Sequence, residues 1–497
     1  MNDQRVYVTT SIPYVNARPH LGHALEFVQA DILARHHRHR GRPVRLLSGT
    51  DDNALKNVTA ARTTGADPAA FVAGNAAAFE RLADPLGLSL DDFIRTSIDP
   101  RHRPGVERIW RRCAAAGDLF RRRYAGRYCA GCEQFLTDAE LIDGLCPEHR
   151  TAPEPVEEEN WFFALSRYAE RIRAAIESGS VRIEPEPKQN EVLSLIDAGL
   201  PDISVSRPAA RASGWGIGVP DDPSQVIYVW WDALANYVTS LGYAADGADY
   251  RTWWQGSDRR IHVIGKGITR FHALTWLGQL LSADLPLPTA IFVHDYLTVS
   301  GAKISKSSAG AEPLDPAGLV DHYGQDAVRW WLAAGVARLG DTDFTPAALI
   351  EHHDADLANG VGNLANRAVA LIIRRRGGAL AALGPDPAGA ELLAAAEALP
   401  ALIDLALDRF DLRGATAGLI DVARAANRYL QQKEPWRLDL GDPRFDLVLG
   451  TVLTVSRVLA AELVPFVPLG ASRLQRQLGS GMRVGAAKAC FPQLGPS

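Results

Sequence analysis

Hydrophobic and polar positions fall into short, distinct blocks over the first hundred residues. Val6-Tyr7-Val8-Thr9-Thr10 reads as a strand, and Pro13, Asn16 and Pro19 then break the run. Apolar residues recur at helical spacing over residues 21–35, and residues 44–47 form a second strand ending at Gly49-Thr50-Asp51. Strand, loop, helix and strand in that order predict a right-handed βαβ opening, as in nucleotide-binding α/β domains. Residues 93–98 are expected to add a strand. Near Tyr124 the texture changes: a cysteine-bearing stretch, an acidic and proline-bearing run at 154–159, then helix and loop up to Pro223. This part is expected to be an insertion. Strand-like runs resume at 227–231, 261–264 and 290–297. From Pro346 onward the pattern is nearly all helical, with a loop rich in Ala, Gly and Pro over 377–389.

Composition narrows the class. The 497 residues are 47% hydrophobic and 22% charged, far from the disordered regime, and long enough for several domains. The best membrane-span candidate, residues 447–469, is broken by Arg457 and Glu462. No signal-peptide core precedes the first strand, and five cysteines are too few for a disulfide framework. A cytoplasmic, reducing location is expected. A net charge of −5 excludes wholesale electrostatic adhesion to nucleic acid and leaves room for a local basic face. Of the 53 basic residues only seven are lysine. Against that scarcity Lys303 and Lys306, with Lys266, stand out as point charges suited to phosphate.

Three stretches carry candidate chemistry. Cys129-x2-Cys132, thirteen residues, then Cys146-x2-His149 is a spacing for tetrahedral zinc, and four protein ligands make such a site structural. Pro13-Tyr14-Val15-Asn16-Ala17-Arg18-Pro19-His20-Leu21-Gly22-His23 lies where the first strand turns into a helix. A helix N-terminus favours anions, and Gly22 leaves room for a close-packed nucleotide. Taken alone, His-Leu-Gly-His is weak, because two histidines so spaced more often cap a helix. Gly301-Ala302-Lys303-Ile304-Ser305-Lys306-Ser307 makes a loop able to fold over a polyphosphate.

Together, His-x-Gly-His after the first strand and Lys-x-Ser-Lys-Ser late in a divided α/β domain resemble the two defining motifs of class I aminoacyl-tRNA synthetases. Further stretches narrow the resemblance to the methionine–tRNA ligase family. They are Ser11-Ile12-Pro13-Tyr14-Val15-Asn16, Phe93-Ile94-Arg95-Thr96 and Asp202-Ile203-Ser204-Val205-Ser206-Arg207. Tyr228-Val229-Trp230-Trp231-Asp232-Ala233-Leu234, His262-Val263-Ile264-Gly265-Lys266 and Asp356-Leu357-Ala358-Asn359 complete the set. The likeness runs from residue 6 to about 470 and includes a single zinc knuckle.

The resemblance implies an α/β chain: a split Rossmann-like parallel-sheet catalytic domain with an inserted zinc-knuckle domain, followed by an α-helical anticodon-binding domain. The expected boundaries are 1–115 and 226–295 for the two catalytic halves and 116–225 for the insertion. A lysine-loop and stem-contact region follows at 296–345, and the helical domain at 346–497. Expected substrates are L-methionine, ATP with Mg2+, and tRNA(Met). Methionine-binding positions are Ile12, Tyr14, Asp51, Trp230, Ala233, Leu234, Tyr237, Ile268, His272 and Trp276. Aromatic faces suit a thioether, and Asp51 suits an ammonium. Ile268, His272 and Trp276, four residues apart, are expected on one helix face. His20, His23, Lys303 and Lys306 are expected to act on the phosphates, with Gly22 and Gly265 in the ATP site. Asn363, Arg367 and Trp436 match anticodon contacts, where an aromatic platform serves splayed bases. Cys129, Cys132, Cys146 and His149 would hold the zinc. The chain ends without the appended dimerising module of some relatives, so a monomer is expected.

The chain also departs from the family pattern. Gly-Thr-Asp-Glu-His-Gly becomes Gly49-Thr50-Asp51-Asp52-Asn53-Ala54, and an aspartate near the ribose becomes Gly267. A proline becomes Leu277, a glycine becomes Asp295, and a methionine becomes Ile304. Three functions stay open on sequence: a working methionine–tRNA ligase, a paralogue activating methionine or a related amino acid for a non-translational pathway, and a catalytically silent tRNA-binding protein.

Overall fold

The first strand, β1 (Val6–Thr10), is buried at all five residues, as expected of a parallel strand covered on both faces. In the computed structural model it joins β2 (Val44–Thr50), β3 (Asp92–Arg95), β4 (Arg182–Glu184), β5 (Arg259–Gly265) and β6 (Ala290–His294). These six strands form one sheet in the order β3-β2-β1-β5-β6-β4. The pairings of β1 with β2 and β5, of β2 with β3, and of β6 with β4 are parallel. The structure describes residues 4–495, apart from 130–133, 137, 148–149, 213, 300, 304–314 and 385.

Two compact units divide the chain. One comprises Met1–Pro19, Arg42–Arg81 and Leu90–Val293; the other comprises His20–Gly41, Leu82–Ser89 and His294–Ser497. The sheet's core in the first unit packs large aromatics, among them Tyr7, Trp110, Trp231, Trp254 and Trp276, among Ile, Val and Leu side chains. An antiparallel ribbon, Leu119–Cys129 against Glu154–Phe163, extends over ten register pairs. Its strands carry opposite charges, with Arg121 3.4 Å from Glu159 and Arg123 3.1 Å from Glu157. The arginine-rich and glutamate-rich runs gain a reason to pair only when set side by side.

One expectation is corrected. Residues 227–231 are not a strand of the main sheet. Asp222–Ile227 pairs in a separate three-stranded sheet, and Val229–Leu234 is a helix. A short run of bulky apolar residues suits a buried helix as well as a strand, and only tertiary context decides.

The second unit is mainly helical beyond residue 346, as expected, with helices Asn363–Arg376, Ala390–Asp408, Leu412–Lys433, Arg444–Glu462 and Pro468–Leu478. Helix α1 (Leu21–His39) belongs to it and is tied in by buried charge. Arg329, fully buried, lies 2.7 Å from Asp31 and donates to the carbonyls of Leu86, Pro465 and Phe466 at 2.9–3.0 Å. At the end of α1, Arg40 donates to both Glu462 oxygens at 2.9 and 2.7 Å and to Asp404 at 2.7 Å. No helix among the described residues is long and apolar enough to cross a membrane.

Arg40 carries a testable load. The Glu462 side chain is only 5% exposed, so Arg40→Ala leaves a carboxylate largely without its counter-charge. Breaking such a pair costs about 3 kcal/mol, equivalent to a melting temperature lower by roughly 6–12 °C in a unit of this size. Thermal unfolding of the variant checks the value, and a shift within error of zero contradicts it.

Candidate active site

Strand order reverses between β1 and β5, and a parallel sheet offers its ligand crevice at the carboxyl ends of the strands flanking such a reversal. Three predicted residues come together where β1 and β2 end. Pairing continues past Thr10, with Ser11 N–H donating to Val263 O at 3.1 Å. Beyond Ile12, Asp51 N–H donates to Pro13 O at 2.9 Å, and Tyr14 and Asp51 form a parallel bridge. On the other side of β2, Gly49 lets β3 come close, because a Cβ there would stand 2.3 Å from the Ile94 carbonyl oxygen. The Asp51 carboxyl is buried, and its Oδ1 accepts from Asn53 N–H at 3.1 Å.

Aromatic rings build the next layer. Tyr14 meets Trp230 edge-on at 6.0 Å, and Trp230 stacks flat on Phe271 at 3.8 Å. Ile12, Tyr14, Trp230 and Ile268 are half-buried, whereas Ala233, Leu234, Tyr237, His272 and Trp276 are buried behind them. Ile268, His272 and Trp276 do not share one α-helix as expected. A 3₁₀ turn (Lys266–Ile268) leads into a π-helical turn (Phe271–Trp276), a form that recurs at functional sites.

Hydrogen bonds set the protons in this layer. The His272 Nδ1–H donates to the Ile268 carbonyl at 3.0 Å, so its Nε2 accepts from the Tyr237 hydroxyl at 2.7 Å. Trp276 Nε1–H donates to His262 Nε2 at 3.1 Å, which places the His262 proton on Nδ1, 2.7 Å from Thr9 Oγ1. Burial, with the neighbouring His272 and Arg260 adding to it, holds the His262 imidazole well below its usual basicity.

The departures around Asp51 find partners. Asn53 Nδ2 donates to Asp232 Oδ2 at 2.7 Å, and the other Asp232 oxygen faces His102 Nε2. Asp52 accepts from the Thr50 and Ser97 hydroxyls and pairs with Arg95 at 3.0 Å. Leu277 is fully buried, and Gly267 is exposed. Phe271 and the Asn53–Asp232–His102 network were not foreseen. Nothing local announces either: Phe271 lies 41 residues from Trp230, and the members of the network lie far apart in sequence.

His20, Gly22 and His23 belong to the second unit. His20 is the N-cap of α1: its Nδ1 accepts from Gly22 N–H, and His23 Nδ1 accepts from His20 N–H, each at 3.1 Å. The rings stack at 3.8 Å. In the neutral form both protons therefore sit on Nε2. A Cβ on Gly22 would press on the His20 ring at 3.0 Å. Lys303 lies in a hairpin strand, Ala302–Lys303, paired with Leu297–Val299; Lys306 and Ile304 lie outside the described residues. Gly265 ends β5 in the first unit.

In the helical part, Asn363 is exposed at the start of Asn363–Arg376, one turn before Arg367, whose guanidinium lies 5.4 Å from the Trp436 ring centre. Cys129 and Cys146 are buried in one small cluster with Leu136; Cys132 and His149 lie outside the described residues.

Known proteins share this fold. The family model described as tRNA synthetases class I (M) matches residues 6–153 and 149–369. The methionine–tRNA ligase of Rhizobium meliloti (strain 1021) is 39% identical over 475 residues, covering 94% of this chain and 90% of that protein. The chain belongs to the methionine–tRNA ligase family of class I aminoacyl-tRNA synthetases. Within that family, Mycobacterium tuberculosis methionyl-tRNA synthetase in complex with methionyl-adenylate superposes with a TM-score of 0.92 at 33% identity, covering 98% of this chain and 100% of that one. The apo form of that synthetase gives 0.85 at 31% identity, covering 100% and 99%.

The buried His262 makes stability depend on pH. Its folded basicity is depressed, so the unfolded chain binds the proton first. This contribution is fully present above about pH 6.5, the ordinary value, and is lost as pH falls below it. Denaturant unfolding between pH 7 and 5 is expected to show declining stability, with a shallower slope in His262→Asn. Equal slopes would contradict neutral burial.

Proposed function

We propose that the chain activates L-methionine with ATP, as its magnesium complex, and transfers it to tRNA(Met) in the cytoplasm. The observation that carries this reading is the convergence of Ile12, Tyr14 and buried Asp51 at the ends of β1 and β2, beside the Trp230–Phe271 stack. An acidic group next to aromatic faces fits an ammonium-bearing thioether amino acid. In the first step a methionine carboxylate oxygen attacks the α-phosphorus, the bond to the β-phosphate breaks, and pyrophosphate leaves. In the second, a hydroxyl of the tRNA's 3′-terminal adenosine attacks the carbonyl carbon of the adenylate. The ester forms, AMP leaves, and the hydroxyl proton is released.

In this reading the protein does little covalent chemistry, and positioning and charge stabilisation dominate. Asp51 takes the amine. His20 and His23 present Nε2–H groups to the phosphates beside the amides of the α1 tip, and Gly22 and Gly265 allow close approach of ATP. Lys303 and Lys306 take up charge on the departing pyrophosphate. Tyr237, His272 and Trp276 hold the pocket's back wall in one protonation state. Asn363, Arg367 and Trp436 form a hydrogen-bonding and stacking platform for the anticodon.

We assign one zinc to Cys129, Cys132, Cys146 and His149. The two buried thiols in one small cluster are the donor type such a site requires. Those residues would hold the metal, which would cross-link the insertion and take no part in the reaction.

Methionine-dependent ATP–pyrophosphate exchange, followed by charging of initiator and elongator tRNA, tests the reading. Both activities are expected. Exchange without charging would replace it with a non-translational paralogue; neither would leave a silent tRNA-binding protein. Asp51→Asn is expected to raise the methionine KM at least about tenfold, the loss of one charged hydrogen bond. An unchanged KM removes Asp51 from the pocket. Gly267→Asp is expected to lower the KM for ATP, since a restored carboxylate for the ribose contributes about 1.5–3 kcal/mol. A KM that stays level or rises shows that this departure costs nothing.

A further inference from the structure

The histidine tip of α1 and the hairpin bearing Lys303 lie in the same unit, and one buried contact joins the helix to the chain leading into the hairpin. His294 Nε2 stands 3.1 Å from Glu26 Oε2. Glu26 is one turn beyond His23, and His294 precedes the strand Leu297–Val299 by three residues. The Glu26 and His294 side chains are 9% and 8% exposed. Below them the hairpin base is held by carboxylates. Asp295 accepts from Gly340 N–H at 2.7 Å, and Asp341 from Tyr296 N–H at 2.9 Å. Asp343 accepts from the Thr298 hydroxyl at 2.8 Å and from Gly301 N–H at 2.9 Å.

Counting protons shows what the contact requires. His294 Nδ1 lies 2.8 Å from the Asp295 carbonyl oxygen, which can only accept, so Nδ1 carries a proton. A neutral ring would then turn a bare Nε2 lone pair toward the Glu26 carboxylate. The closed pair must therefore hold one further proton between Nε2 and Oε2, whichever atom owns it. Other charged groups near His294 are Arg338 and Arg413, which line a cavity of about 20 Å³ beside it together with Gln29. The Asp295 carboxylate is engaged by Gly340, as above.

We infer that the Glu26–His294 pair is a proton-sharing clamp that sets the lysine hairpin against the histidine-capped helix. It touches no substrate and acts on the adenylation step through the lysines, as a pair of positioning residues. The inference rests on the reaction proposed above and adds a device to it. Asp295, at a position where the family has glycine, adds a pin at the same hinge through Gly340.

Glu26→Ala, His294→Ala, their combination and Glu26→Gln in the full chain test it. Each alanine variant is expected to lower kcat of ATP–pyrophosphate exchange about tenfold, with the methionine KM within about twofold of wild type. The double variant should be no slower than the slower single one. Glu26→Gln should recover most of kcat, because its amide N–H donates to a neutral imidazole. Additive losses in the double variant, or a glutamine variant as slow as Glu26→Ala at every pH, overturn the clamp.

Amide hydrogen exchange over residues 296–299 reads the clamp apart from catalysis. Glu26→Ala should speed it, and equal rates in the two proteins overturn the clamp. Wild type without methionine-dependent activity, but with the expected hydrogen-exchange response, overturns the proposed reaction and supports the clamp.

Discussion

A parallel sheet can reverse its strand order only by sending two neighbouring chains away from each other, and that divergence between β1 and β5 is the constraint on which the candidate pocket depends. On one side of it, Ser11 to Tyr14 continue past β1 and bond back to Val263 and Asp51. On the other, β5 gives way to the tight and wide turns that carry Ile268, His272 and Trp276. The pocket thus inherits its shape from topology, and the side chains supply its chemistry. Gly49 enters the same account, because β2 approaches β3 too closely there for any Cβ.

Two chains of hydrogen bonds run through the buried wall of the candidate pocket. Thr9, His262 and Trp276 form one chain of hydrogen bonds, and Tyr237, His272 and the Ile268 carbonyl another. The neutral rings are thereby fixed in single tautomers, and burial holds His262 in that neutral form. The exchange of a family histidine for Asn53 keeps a donor on Asp232 while removing a titratable ring.

Sequence legibility followed physical locality. The βα opening was readable because β1, the α1 cap and β2 are each encoded by contiguous residues, and the helical C-terminal part by long amphipathic periods. The run around Trp230 was misassigned because helix and buried strand share its composition, and its partner Phe271 lies 41 residues away. His20 and His23 were read both as cap residues and as phosphate ligands, and the capping bonds bear out the first role. The Asn53–Asp232–His102 network and the Arg40–Glu462 pair stayed hidden because each links residues more than a hundred positions apart, with no periodicity to announce them.

The helix Leu21–His39 is anchored at separate points along its length, by the contacts of Glu26 with His294 and of Asp31 with Arg329 and by the Arg40 grip at its end. Each residue of an α-helix adds about 1.5 Å and turns the chain about 100°. Inserting or deleting one residue between them would rotate one anchor about a third of a circle away from its partners. Substitutions along the outer face leave that phase untouched. The segment is therefore a ruler whose tick count is set, tolerant of changes in letter and intolerant of changes in number.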